Sequence, residues 1–169
     1  MTITYEVLKD YACRGMFFHG GPEEVETLRG RPLYASRHPA YAILYAISPR
    51  LKKIAIATFG PTGEVHANQI FIENMRPGYV YVLSPGEEWK AVKGIPSSFS
   101  HRFNREKDGA ELVAYSAIAP LACFEVTPED YPYPIIQRDV SELSKKEKIM
   151  VKALRSATVK RGFRNPKTR

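Results

Sequence analysis

Several features that would declare a function at once are scarce or missing in this chain. It has only two cysteines in 169 residues, Cys13 and Cys123, each in an apolar neighbourhood and without CxxC spacing, which argues against a disulfide framework or a thiolate zinc site. No apolar run approaches the roughly 18 residues that span a bilayer, and the N-terminus lacks the basic-then-apolar pattern of an export signal. The expectation is a soluble cytoplasmic protein without membrane association, its thiols serving as small buried hydrophobes. There is no GxGxxG, no GxxxxGK[ST] and no HExxH, so the phosphate-cradling loops and zinc helices those patterns encode are not expected. His38, His66 and His101 have neither mutual spacing nor acidic company, and no metal site is expected. Nor does spacing suggest a Ser-His-Asp set.

What the chain does have is enough apolar residue, 44%, to bury one core, at a length too short for two comfortable domains. Its net charge of +7 is unevenly placed. Residues 138–169 hold 11 Lys/Arg against 3 Asp/Glu, a net of +8, which leaves the preceding residues close to neutral. The reading is a body over 1–137 and a basic helical tail over 138–169 with a disordered end. Ser144 with Glu147 fits a capping box, Leu143, Met150, Leu154 and Ala157 form an apolar stripe, and Lys145, Lys148, Lys152 and Arg155 line the other side. Arg161–Arg169 is basic, contains Gly162 and Pro166, and is expected to stay disordered when nothing is bound.

Within the body, short strand-like runs are predicted at Gly15–His19, Lys53–Phe59, Gln69–Ile72, Tyr79–Leu83, Trp89–Val92, Leu112–Ser116 and Leu121–Val126. Helices are predicted near Pro22–Leu28 and from about His38 to Ile47, where Pro39 suits a first turn and Tyr41, Leu44, Tyr45 and Ser48 share one side. Strands with few helices, and no regular alternation, predict an α+β fold with largely antiparallel pairing, two small sheets around a cleft. Gly94–Gly109 is polar and reads as a mobile loop.

One constellation suggests chemistry. His19-Gly20 ends the apolar run Met16-Phe17-Phe18, and Leu33-Tyr34-Ala35-Ser36 begins fourteen residues after the histidine. A strand-end imidazole can offer a ring nitrogen to a sugar hydroxyl, and a glycine beside it lets a ligand amide reach the backbone. Tyr34 on a strand and Tyr45 on the next helix can stack on one planar heteroaromatic group. Taken singly, His19 also suits a bonded histidine before a turn, and Tyr41 and Tyr45 suit an ordinary core helix. His38 either caps the helix or meets a phosphate together with Arg37.

Taken together, His19-Gly20, Leu33-Tyr34-Ala35-Ser36 and Ala42-Ile43-Leu44-Tyr45-Ala46 resemble the His–Tyr half of the His-Tyr-Glu signature of the ADP-ribosyltransferase fold. The branch is the one that includes diphtheria toxin and the poly-ADP-ribose polymerases. The two tyrosines stand eleven residues apart, similar to that branch, and Gly109-Ala110-Glu111-Leu112-Val113 supplies a late acidic residue at a strand start. The chain departs from the pattern in the short gap between His19 and Tyr34, in Ala42 where a small polar residue is common, and in Gly109 where arginine-modifying toxins carry a second glutamate.

The resemblance implies NAD as co-substrate, held by His19, Gly20, Tyr34, Ser36 and Tyr45, with Glu111 and His19 as the catalytic pair. It implies transfer of ADP-ribose to a protein or nucleic-acid acceptor. The chemistry agrees with a carboxylate at position 111, since cleavage of the C1′–nicotinamide bond builds positive charge on the ribose that one ionised carboxylate stabilises. Glu106 and Asp108 are nearby alternatives, set aside because they lie in the predicted loop, where a catalytic group would be poorly held. Arg102 and Arg105, in the loop before Glu111, are candidates for contacting the acceptor. The competing reading is a catalytically inactive nucleic-acid-associated or assembly protein that uses the basic tail, through Lys145, Lys148, Lys152 and Arg155, for non-specific backbone contact.

Overall fold

A computed structural model of the chain describes residues 3–30, 32–51, 55, 57–59, 63–91 and 111–138. In chain order the elements are α1 (Ile3–Cys13), β1 (Phe17–Gly21), β2 (Leu33–Ser36), α2 (Pro39–Ile47), β3 (Ala57–Phe59), β4 (Val65–Ala67), α3 (Gln69–Glu73), β5 (Gly78–Leu83), β6 (Lys90–Ala91), β7 (Glu111–Ala114), β8 (Ala122–Val126) and β9 (Ile135–Gln137). Six strands pair antiparallel in the order β6-β7-β2-β1-β5-β8. A second sheet runs β3-β4-β9, with β3 antiparallel and β9 parallel to β4. The class is α+β, with few helices and two mostly antiparallel sheets. Among the described residues, no helix is long and apolar enough to cross a membrane.

The larger sheet separates two apolar clusters. On one face, Phe18, Val80, Val82 and Val126 pack with Ile43, Ile47, Leu8 and Phe71 from the helices. On the other, Phe17, Leu33, Ala35, Tyr81, Leu83, Leu112 and Ala114 pack with Leu28 and Trp89. The alternation along β1, β2 and β7 produces this division, because successive side chains in a strand point to opposite faces.

Pro39 opens α2 as expected, and seven of the nine residues of this helix are buried. The helix seats on β1 and β5 at two glycines. A Cβ on Gly20 would overlap the Ala42 carbonyl oxygen and the Ala46 nitrogen, and one on Gly78 would overlap the Ala46 carbonyl. Two missing side chains therefore let helix and sheet backbones touch.

The structure corrects several elements. Pro22–Leu28 is not a helix. The Tyr81 hydroxyl donates to the Glu23 carbonyl and accepts from the Val25 amide, while Leu28 bridges to Ile118, so tertiary partners take the backbone groups a helix would use. Gln69–Ile72 is not a strand but most of α3, where the Asn68 side chain caps the Phe71 amide at 2.9 Å. The N-terminal helix α1 and the strands β4 and β9 were not anticipated. Of the predicted strand Lys53–Phe59, only β3 and Ala55 lie among the described residues, and Val92 of Trp89–Val92 lies outside them. The loop Gly94–Gly109 with Arg102 and Arg105, and the tail helix with Lys145, Lys148, Lys152 and Arg155, also lie outside.

Because the neighbour of Gly78 is backbone and cannot swing aside, Gly78→Ala is expected to cost at least the roughly 1–3 kcal/mol typical of overpacking. The check is a urea midpoint lowered against wild type with an unchanged slope.

Candidate active site

The site forms where the larger sheet comes apart. β1 runs in full register with β5 through five residue pairs, but with β2 it registers only at Phe18 opposite Ser36. Beyond that pair the His19 side chain takes over, its Nδ1 lying 2.6 Å from the Tyr34 carbonyl oxygen. Cross-strand partners share a face, so the pairing of Ser36 with Glu111 puts both residues, with Tyr34, on the α2 side. His19 alternates to the opposite side, its ring 6.0 Å from that of Tyr81. It lines the same cavity as Tyr41, Ala42 and Tyr45 of α2 all the same.

A cavity of about 150 Å³ occupies this gap, lined by His19, Gly20, Tyr34, Ala35, Tyr41, Ala42, Tyr45 and Glu111. A dry cavity of about that size is known to admit a single benzene ring. Four residues singled out from distant stretches of sequence, His19, Tyr34, Tyr45 and Glu111, thus face one space, with the Gly20 backbone at its edge.

The hydrogen bond of His19 fixes its tautomer. A carbonyl only accepts, so Nδ1 must carry the proton, and in the neutral ring Nε2 is left as an acceptor. Burial lowers the His19 pKa from the ordinary 6.5, and the bond to Tyr34 opposes that only in part. The ring therefore enters the neutral range as a positioned acceptor.

Tyr34 and Tyr45 are 37% and 54% exposed and have area left to bury against a ligand. Tyr41 stands one turn before Tyr45, the ring centroids 5.0 Å apart and the hydroxyls 3.4 Å apart. Both phenols are pushed above the usual 10. For Tyr41 the cause is burial, then the neighbouring Tyr45 hydroxyl and the charge of Glu111. For Tyr45 burial again leads, Glu111 and Tyr34 add to it, and the contact with Tyr41 opposes it. Phenols are uncharged in the neutral range even at their ordinary value, so Tyr41 and Tyr45 stand as neutral hydroxyls in the cavity that Glu111 lines.

A larger cleft of about 670 Å³ shares His19, Gly20, Tyr41 and Tyr45 with the first and continues past Gly21, Leu44, Ser48 and Phe71 to Arg50. Arg50 was given no site role from sequence, and Tyr41 was singled out beside Tyr45 in the constellation without an assigned ligand contact. A tyrosine inside a helical apolar stripe has the same signature whether it faces a core or a cleft, so only the fold could separate them.

Ser36 is placed differently from expectation. It is 1% exposed, its hydroxyl accepts the His38 amide, and it is not among the residues that line the cavity. His38 occupies the cap position of α2 but makes no side-chain cap bond, and Arg37 lies over the Phe17 ring. Glu106, Asp108, Arg102 and Arg105 fall outside the described residues. Among the described residues no group of three or more His, Cys, Asp or Glu could hold a metal ion.

The His19 assignment has two measurable consequences. Nitrogen-15 NMR is expected to show the Nδ1–H tautomer, with a titration midpoint below 6.5. The unfolded chain binds that proton more readily than the folded one. The contribution of His19 to stability is therefore complete above about pH 6.5 and is lost as pH falls through the lower folded midpoint. His19→Gln should flatten that part of the stability profile; a wild-type ring titrating above 6.5 would contradict the assignment. Comparison of the chain with family models, curated proteins and solved structures gives no match.

Proposed function

We propose that this chain is an NAD-dependent ADP-ribosyltransferase of the His-Tyr-Glu kind, a glycosyltransferase that moves ADP-ribose from NAD to a macromolecular acceptor, protein or nucleic acid. One observation carries the reading. An imidazole poised as an acceptor, two exposed phenol rings and a carboxylate, from four separated segments, line a cavity that fits one six-membered ring. The same reading gives the two sheets the arrangement of the ADP-ribosyltransferase fold and makes residues 138–169 a basic appendage.

NAD supplies an ADP-ribosyl group whose C1′–nicotinamide bond breaks with build-up of positive charge on the ribose. The residues divide the work around that event. Tyr34 and Tyr45 stack on the nicotinamide ring and exclude water from it, and the Gly20 backbone receives the carboxamide. His19 Nε2 accepts a hydrogen bond from a ribose hydroxyl and holds the sugar in register. Glu111 faces the ribose and stabilises the charge as it develops, the part that a neutral amide could not play. The larger cleft has room for the rest of the dinucleotide, with Arg50 as its cation for phosphate.

The net charge of +8 over residues 138–169 favours a phosphate-bearing acceptor or one delivered on nucleic acid. The second reading, an inactive binder, rests on that charge alone and leaves the composition of the cavity without a purpose.

The test is nicotinamide release and transfer of labelled ADP-ribose, with purified wild type and Glu111→Gln. Glu111→Gln is expected to keep the wild-type melting temperature and lose at least about 10²-fold in turnover. Thermal stabilisation by NAD should vanish in Tyr45→Ala and His19→Ala. Full turnover in Glu111→Gln, or a wild type that neither binds nor cleaves NAD, would overturn the proposal.

A further inference from the structure

A separate cleft, of about 400 Å³, shares none of its lining residues with the ring-sized cavity or the larger cleft. It opens between α1, the start of β1 and the turn from β2 into α2, with Tyr5, Lys9, Cys13, Phe17, Arg37 and Pro39 in its lining. We propose that this cleft binds a nucleotide through its phosphate, which Arg37 and Lys9 hold from two separate elements. Such a site stands whether or not the chain cleaves NAD.

The two cations are placed in the same way. The Arg37 guanidinium carbon lies 5.1 Å from the centroid of the Phe17 ring, the Lys9 ammonium lies 5.9 Å from that of Tyr5, and both rings belong to buried residues. A cation over a ring face is attracted to it and still donates, because the guanidinium keeps its N–H groups in its own plane and the ammonium has several donors. The aromatic wall therefore sets where both charges stand before any anion arrives. Among the described residues Arg37 has no ion-pair partner. Lys9 pairs with Glu6 at 3.0 Å, an exposed contact within α1, and Glu6 is not in the lining. Exposed pairs of this kind are weak and screened by salt, and they leave the ammonium able to take a second acceptor.

The class of ligand follows from the lining. Among the described residues no Asp or Glu lines the cleft, so the charge of its wall is positive. A phosphate matches the guanidinium fork and can meet the ammonium at the same time. Tyr5, Met16, Phe17 and Pro39 add apolar surface, which suits a phosphate carried on a planar, uncharged body over a bare inorganic anion. The sequence pattern that set Arg37 and His38 at a phosphate belongs to this place, since His38 lines the same cleft and its side chain makes no cap bond to α2.

Cys13 is exposed on the cleft wall and reports occupancy. The full chain is treated with a thiol reagent alone or with AMP, inorganic phosphate or a short 5′-phosphorylated single strand, and labelling of Cys13 is followed by peptide mass spectrometry with Cys123 as internal reference. AMP is expected to slow the labelling of Cys13 and not of Cys123, at concentrations where inorganic phosphate does not. Equal protection by the strand assigns the site to strand ends, and protection by AMP alone assigns it to free nucleotides. Arg37→Ala and Lys9→Ala, both at exposed positions, are expected to keep the melting temperature and to weaken protection about tenfold, Arg37→Lys by less. Labelling of Cys13 at one rate with and without AMP, or protection that survives in Arg37→Ala, overturns the proposal. Binding that leaves Cys13 reactive belongs to the basic residues 138–169 and overturns it equally.

Discussion

The close seating of α2 on the larger sheet is the constraint from which the pocket follows. Gly20 and Gly78 remove the two side chains that would hold helix and strands at the ordinary distance, and the Ala42 and Ala46 backbone comes down onto them. That approach fixes the height of Tyr41 and Tyr45 above β1, beside the point where β1 and β2 part. A methyl group at position 20 would lift the helix and carry both phenols away from His19. The local cost of a glycine in a strand, of order 0.5–1 kcal/mol, is offset by the apolar area α2 buries through Ile43 and Ile47. Gly20 thus has two uses on its two sides: it admits the helix, and its backbone borders the cavity.

Much of this fold was legible where one physical signal dominated. The runs that became β1, β5, β7 and β8 are apolar, short and bounded by turn residues, and Pro39 marks the start of α2. The failures occurred where local preference and tertiary context disagreed. Ile70, Phe71 and Ile72 carry strand preference, yet a single cap from Asn68 turned them into a short helix whose Phe71 plugs the core. Pro22–Leu28 reads as helical by composition, but the buried Tyr81 hydroxyl, far away in sequence, pins Glu23 and Val25 in an irregular path. In α1, Tyr5 and Leu8 are buried, but β-branched and aromatic residues obscured the helical stripe. The strands β4 and β9 have three residues each, too few to show a period.

The same logic explains the site. That His19, Tyr34, Tyr45 and Glu111 face one cavity was legible because each sits at the end or start of a regular element, where spacing translates into position. Ser36 was misplaced because its small hydroxyl is satisfied locally by the His38 amide, a bond that needs only the turn between β2 and α2. Spacing put Tyr41 beside Tyr45 without separating a pocket role from a core one, and it gave no signal for Arg50. The first shares its stripe with core residues, and the second is a single cation whose company is assembled only by the approach of α3 and β3.

The electrostatic composition of the cavity bears on the proposed chemistry more than any one residue does. Among the described residues Glu111 is the only carboxylate on its wall, the imidazole is biased toward neutrality, and the phenols of Tyr41 and Tyr45 are uncharged in the neutral range. A largely apolar slot of this kind disfavours a cationic ring and favours a neutral one. In the ground state of NAD the positive charge sits on the nicotinamide, and cleavage moves it to the ribose. On the proposed reading, the reaction therefore carries charge out of the apolar slot and toward the Glu111 carboxylate, so slot and carboxylate assist the same step. Protonating His19 would add a like charge beside that ribose, and protonating Glu111 would remove the attraction. Both oppose the reaction as pH falls, which is why a buried histidine with a depressed pKa suits this position better than a solvated one would.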